Sequence, residues 1–260
     1  MTELLEVSRV DPGELVRLWC SVFGDPTELA EAFLSRLPAM GFGFAAVEDG
    51  RVCGAAYWID ALELDGEKCG YLYAVAVRPE ARGRGLGAAL SRACLEAGRE
   101  RGASYLCTAP AEPSLFGWYW RILGLKPALY RQEAELKAES VLPVSPLSAE
   151  DYAARRDALL SGVPHLRCAA EAMDYESLNC RLFGGGFYAV GDGIAAASVE
   201  DGRALIRECL SREREKAAAS VGAALGCASV RLLGCAAEGT PFLAANRPFP
   251  PGTVWNLAFD

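Results

Sequence analysis

Ala76-Val77-Arg78-Pro79-Glu80-Ala81-Arg82-Gly83-Arg84-Gly85-Leu86-Gly87 is the stretch on which the reading of this chain turns. The apolar run Cys69 to Val77 reads as a strand, Arg78-Pro79 breaks it, and residues from about Gly87 to Arg101 carry helical periodicity up to Gly102. A glycine loop that leaves a strand and opens a helix has a physical use. The first helical N–H groups lack carbonyl partners and the aligned peptide dipoles leave positive charge there, so the turn can receive a diphosphate. Gly83, Gly85 and Gly87 let backbone come close to a ligand, and Arg82 and Arg84 add cationic donors. The Gly-Lys-Ser/Thr ending of a P-loop is missing, and Gly83-x-Gly85-x-Gly87 is not the Gly-x-Gly-x-x-Gly of dinucleotide folds.

Working outward, Leu5, Val7 and Val10 alternate as a strand, and Asp11-Pro12-Gly13 opens a helix with Leu15, Leu18, Trp19 and Val22 on one face. Asp25-Pro26-Thr27 starts a second helix through Leu29, Phe33 and Leu37, with Pro38 expected beyond its end. Phe42–Val47 and Val52–Leu64 flank Asp49-Gly50 as a hairpin. After the glycine loop come a strand (Ser104–Ala109), a helix from near Pro113 to Gly124, and a strand (Ala128–Leu136). The fold class expected is α/β (α+β): a mixed central sheet flanked by helices, followed by a second, smaller α/β domain.

The domains expected are 1–138, a Ser/Pro-rich linker over 139–148, and 149–260. Phe44-Ala45-Ala46-Val47-Glu48-Asp49-Gly50 lines up with Phe187-Tyr188-Ala189-Val190-Gly191-Asp192-Gly193, which suggests a degenerate repeat. Strands over Ala204–Leu210, Ser229–Cys235 and Thr253–Phe259 and a helix over Arg212–Leu225 complete the second half. Its equivalent of the glycine loop, Ser211-Arg212-Glu213-Arg214-Glu215-Lys216, has no glycine and carries two carboxylates, both adverse to a diphosphate. That half is expected to complete an acceptor cleft or an oligomer interface such as a homodimer.

A net charge of −8 with scattered basic residues disfavours nucleic acid and suits cationic substrates. No run approaches the roughly 18 apolar residues of a membrane span, and the opening residues lack a signal-peptide pattern, so a cytoplasmic location is expected. The ten cysteines form no Cys-x-x-Cys pair and His165 is the only histidine, so no metal site is expected.

The quoted stretch resembles the central motif of the GNAT acyltransferase superfamily, in which a strand and Val-x-Pro lead into Arg/Gln-x-x-Gly-x-Gly/Ala. The resemblance covers about residues 1–136. It implies acetyl-CoA as co-substrate and transfer of the acyl group to a primary amine, on a small molecule or a peptide, by direct attack in a ternary complex. It also implies that the strand before the loop splays from its neighbour at a bulge. Pantetheine would then lie along Val75, Ala76 and Val77, with the diphosphate on Arg82, Gly83, Arg84, Gly85, Leu86, Gly87 and Ala88. A free amide near Val75 would polarise the thioester carbonyl.

Downstream, Glu112-Pro113-Ser114-Leu115-Phe116-Gly117-Trp118-Tyr119 occupies the spacing of the family's Asn-x-x-Ala-x-x-Leu-Tyr, with Glu112 in place of Asn. This sets Tyr119 where the family places the tyrosine that protonates the departing thiolate. The longer tail before Leu123-Gly124-Leu125 also admits Trp120 at that position. An ammonium must lose its proton before attack, and Glu112, Glu67 and Asp60 are the carboxylates considered for the base, Glu112 first. Tyr71 and Tyr73 share a strand face that would line the acceptor cleft. Cys107 reads as a core thiol and His165 as a packed or capping residue. A noncatalytic acyl-CoA sensor is the rival reading, and a polyamine, an aminoglycoside or a basic peptide end would suit the acidic chain as acceptor.

Overall fold

The computed structural model describes residues 2–257 and 259. In chain order the elements are β1 (Thr2–Glu6), α1 (Pro12–Phe23), α2 (Thr27–Met40), β2 (Gly41–Glu48), β3 (Arg51–Leu64), β4 (Glu67–Val77), α3 (Leu86–Glu100), β5 (Tyr105–Thr108), α4 (Leu115–Leu123) and β6 (Lys126–Lys137). The chain continues with β7 (Val144–Pro146), α5 (Ala149–Leu159), β8 (Leu166–Cys168), α6 (Ala170–Leu182), β9 (Gly186–Val190), β10 (Gly193–Glu200), β11 (Arg203–Leu210), α7 (Arg214–Ala224), β12 (Ser229–Ala236) and β13 (Thr240–Ala245). Two compact units form, Met1–Ala128 with Phe242–Pro248, and Leu129–Pro241 with Phe249–Asp260.

The first unit has the strand order β1-β2-β3-β4-β5-β13, all antiparallel neighbours except the parallel pair β4–β5. On one face α1 buries Leu15, Leu18 and Trp19, and Trp19, Phe33 of α2, Tyr57 and Tyr73 form an aromatic cluster with ring centroids 5.1–5.7 Å apart. On the other, α3 and α4 pack Leu90, Cys94, Phe116 and Tyr119 around Trp58, Leu72 and Leu106. Asp11 caps α1, its carboxylate accepting from the Gly13 N–H at 3.1 Å, which follows from Asp before Pro at a helix start. Pro38 lies inside α2, not beyond it as expected: Leu37 and Met40 are buried, and that burial carries the helix two residues past the proline.

Two features of this unit depart from the sequence reading. The strand expected to close it, β6, has its Tyr130–Lys137 portion paired with β12 inside the second unit. The place beside β5 goes to β13, with Ala244 opposite Thr108 and Ala245 opposite Cys107. Asn246 locks that exchange: its Oδ1 accepts from the Leu106 N–H at 2.9 Å, its Nδ2 donates to the Ser104 carbonyl at 3.1 Å, and its own N–H donates to the Leu106 carbonyl at 3.0 Å.

The second unit has the order β6-β12-β11-β10-β9-β7, with β11–β12 the parallel pair. Its β9–β10 hairpin, β11, α7 and β12 repeat the connections of β2–β3, β4, α3 and β5. The expected linker over 139–148 contains β7, hydrogen-bonded to β9, so it belongs to this sheet. The strand expected over Thr253–Phe259 does not form. Ala258 lies outside the described residues, and of the others only Val254 makes an isolated bridge, to His165. Helices α5 and α6 cover β9 and β10, and α5 buries Arg156 against Glu208, Nε to Oε1 at 2.8 Å and Nη2 to Oε2 at 3.1 Å, with Tyr152 donating to Oε1 at 2.8 Å.

Candidate active site

β4 is straight only to its middle. Ala55 pairs with Ala76 but Tyr57 pairs with Tyr73, so Ala74 and Val75 stand opposite the single residue Ala56 as a β-bulge. Ala74 has φ 47°, a left-handed conformation unfavourable for a residue with a Cβ, so the bend is held by its surroundings. On its other edge β4 pairs with β5 only at Cys69, Gly70 and Tyr71, and then the strands part. The Thr108 hydroxyl donates to the Leu72 carbonyl at 2.9 Å at the apex of this opening. Beyond it lies the backbone edge of Val75, Ala76 and Val77, the expected pantetheine track, for which no β5 register is found among the described residues.

The loop then turns into α3. Gly83 and Gly85 have φ of 76° and 79°, the left-handed region that favours glycine, and a Cβ on either would meet open space. The first α3 bond is Ala89 N–H to the Gly85 carbonyl at 3.0 Å, so the N–H groups of Leu86, Gly87 and Ala88 lie ahead of the intrahelical ladder. Unpaired amides at a helix start are a geometry that can receive an anion. The two arginines are differently disposed than expected. Arg82 turns back, its Nε donating to the Val77 carbonyl at 3.1 Å, and Arg84 is forked onto Glu48.

Tyr119 is buried in α4, with its phenol beside Thr108 at the apex. Burial pushes the phenol pKa up, which keeps its proton in place. Trp120 is 56% exposed, with the Lys126 ammonium over its ring, so helical phase separates the two aromatics that the sequence left as alternatives.

Of the carboxylates, Glu112 is exposed in the segment following β5 and accepts from the Ser114 hydroxyl at 3.2 Å. Asp60 is tied to Lys68 at 3.1 Å and to Arg101 at 4.0 Å, and Glu67 to Arg247. Glu67 and Lys68 begin β4, the end opposite the bulge, so Asp60 and Glu67 do not join Tyr119 and the glycine loop. Tyr71 and Tyr73 stack at 5.9 Å on the face covered by α1 and α2. The Cys107 thiol is fully buried, donates to the Gly70 carbonyl at 3.3 Å and has its pKa raised by burial, as befits a core residue. His165 is likewise buried, one ring nitrogen 2.7 Å from the Val163 carbonyl and the other 3.2 Å from Asp157. The bulge that the resemblance implied falls at Ala74 and Val75, whereas Thr108 and Glu48 escaped the sequence reading as site residues; only the threonine closing an apolar strand offered a signal.

The second unit bulges at the same step, since Ala196 pairs with Glu208 and Ala197 with Ile206, and β11–β12 pairing ends at Ile206. Here the opening is filled from within. Arg214 reaches over β12 to donate to the Leu233 carbonyl at 2.5 Å, leaving no room for a Cβ at Gly234, and Asn256 Oδ1 accepts from the Cys235 N–H at 3.0 Å.

A family model described as Acetyltransferase (GNAT) family matches residues 14–124. No curated protein sequence matches the chain. Among solved structures, a conserved protein of unknown function from Enterococcus faecalis V583, described as a probable N-acyltransferase, superposes with a TM-score of 0.69 at 16% identity over 94% of this chain and 72% of its own. A GCN5-related N-acetyltransferase from Kribbella flavida gives 0.66 at 18% identity over 94% and 71%, and Eis1 from Mycobacterium abscessus 0.59 at 15% over 94% and 73%. At these identities the likeness is one of fold.

Proposed function

We propose that the chain, whose residues 14–124 match the acetyltransferase (GNAT) family model, is an N-acyltransferase that takes an acetyl or related acyl group from acetyl-CoA to a primary amine. The observation that carries this reading is the bulged, splayed β4 running into a glycine loop, with a buried tyrosine hydroxyl at the apex. The unpaired edge of Val75, Ala76 and Val77 fits the amide-bearing pantetheine arm, and the amides of Leu86, Gly87 and Ala88 fit the diphosphate.

Binding lays the thioester beside the bulge, where the Val75 N–H stabilises charge growing on the carbonyl oxygen. The neutral amine adds to the carbonyl carbon, the carbon–sulfur bond breaks, and Tyr119 gives its proton to the leaving sulfur. The attacking nitrogen passes its own proton to Glu112 or through water to solvent. Tyr119 regains a proton from solvent before the next turnover.

The second unit is read as a degenerate copy: it keeps the bulge and the splay but fills the opening with Arg214 and supplies Glu213 and Glu215 where glycines would be needed. The test is release of free thiol from acetyl-CoA in the presence of polyamine, aminoglycoside and basic-peptide panels. No release with any amine would overturn the reading. A noncatalytic acyl-CoA sensor is favoured by one observation, the commitment of Asp60 and Glu67 to ion pairs away from the loop, and predicts coenzyme binding without turnover.

A further inference from the structure

Glu48 ends β2, and its carboxylate receives the Arg84 guanidinium as a fork, Nη2 to Oε1 at 2.6 Å and Nη1 to Oε2 at 2.9 Å. The Thr2 hydroxyl approaches the same carboxylate at 3.4 Å. A two-pronged, charge-assisted contact is the arrangement in which arginine holds a carboxylate best, and also the one in which it would hold a phosphate. The guanidinium between the two left-handed glycines therefore has two suitors: a carboxylate built into the protein and the phosphates that the loop is shaped to receive.

The shape of the loop does not depend on this pair. Arg78 fastens the loop to the start of β3 through its Nε on the Val52 carbonyl at 2.7 Å and its N–H on the Cys53 carbonyl at 2.9 Å. Arg51 pairs with Glu80 at 3.2 Å, and Arg82 holds the Val77 carbonyl. With these in place, removing the Glu48 carboxylate frees a cation and deletes a negative charge at the loop while the backbone stays anchored.

We infer that Glu48 is an affinity-determining residue that competes with the phosphates of the acyl donor for Arg84, an inference that rests on the coenzyme reading above. In the free protein Arg84 is mostly held, and a ligand that uses it must first win it, so apparent affinity is reduced by the fraction of Arg84 that is free. An exposed pair of this kind shifts such an equilibrium by up to roughly five-fold. The same competition returns Arg84 to Glu48 when spent coenzyme departs, which favours product release.

Titration calorimetry with coenzyme A tests this on the full chain and on Glu48→Gln, Arg84→Ala and the double variant, at low and at moderate salt. Glu48→Gln is expected to tighten binding about two- to five-fold at low salt, with the gain shrinking as salt screens it. Arg84→Ala is expected to weaken binding and, as a background, to remove most of the gain from Glu48→Gln. Glu48→Ala repeats the measurement with a different replacement. Unchanged or weaker binding in both Glu48 variants would overturn the competition, as would an equal gain with and without Arg84. No binding to the unaltered chain would overturn the coenzyme reading itself and this inference with it, an outcome distinct from unaltered binding in the variants.

Discussion

The Tyr119 phenol lies beside Thr108 where β4 and β5 part, and the Thr108 hydroxyl holds the Leu72 carbonyl at 2.9 Å. Tyr119→Phe keeps the ring and removes the proton, so kcat should fall roughly 10²- to 10⁴-fold while acetyl-CoA affinity stays within about two-fold. Trp120→Phe, at an exposed position, should leave both unchanged. A kcat within about two-fold for Tyr119→Phe would assign the proton elsewhere.

The pH dependence has a definite sign. Burial raises the Tyr119 phenol pKa, so its protonated form, the form that acts as acid, persists to higher pH than in free tyrosine. Any loss of kcat on the alkaline side that belongs to this group should begin above about pH 10 and be absent from Tyr119→Phe. A Tyr119-dependent loss centred near pH 8 would contradict the burial.

Two neighbouring glycines should respond differently to alanine. Gly85 has φ 79°, so Gly85→Ala costs about 1–2 kcal/mol or reshapes the loop, and coenzyme binding should weaken about ten-fold. Gly87 lies in α3, where a Cβ would sit in ordinary contact with Val77 at 3.7 Å and Trp118 at 3.9 Å. Gly87→Ala should therefore leave the free protein as stable or up to about 1 kcal/mol more so in urea unfolding. A loss of coenzyme binding in that stable variant would mark the diphosphate's close approach to residue 87.

Asn246 closes both of its amide bonds within the first unit. Asn246→Ala should lower stability by about 1–2 kcal/mol, because the Leu106 N–H and the Ser104 carbonyl lose a partner. Removing residues 145–260 also strips β13 from β5, and the product should be insoluble or inactive whatever the second unit contributes. A soluble, fully active truncation would show that β13 is dispensable.

In the second unit Arg156 and Glu208 are both buried and paired, so Arg156→Met or Glu208→Leu alone should each cost about 3–5 kcal/mol in denaturant unfolding. Replacing both together should cost less than either alone, since no uncompensated charge is then left inside. Equal or greater loss in the double variant would refute that account.

The first unit was legible because its signals are local. The Leu15, Leu18 and Trp19 spacing, the Asp49-Gly50 turn and the strand–loop–helix around Gly83 and Gly85 each reveal an element without reference to the rest. α6 was not, because Glu176, Ser177 and Asn179 are buried beside Met173 and Cys180, which erases the apolar stripe by which a helix is recognised. Nor was the partner of β5, since Leu106 and Asn246 lie 140 residues apart and a short apolar run such as Phe242–Ala245 does not name its neighbour. At the site, backbone positions followed from the motif, whereas the pairing of Arg84 with Glu48 and the contact of Tyr119 with Thr108 depend on side chains meeting across elements.

The exchange of β6 for β13 gives the chain an order of assembly. Residues up to Ala128 leave the ribosome first, yet the strand that flanks β5 is made only after the whole second sheet has been translated. At ordinary synthesis rates that is a wait on the order of ten seconds, during which β5 is an open edge. The part of the molecule that begins first thus stays unfinished until most of the other has been made, and a nascent chain stalled before Phe242 should be a client for chaperones.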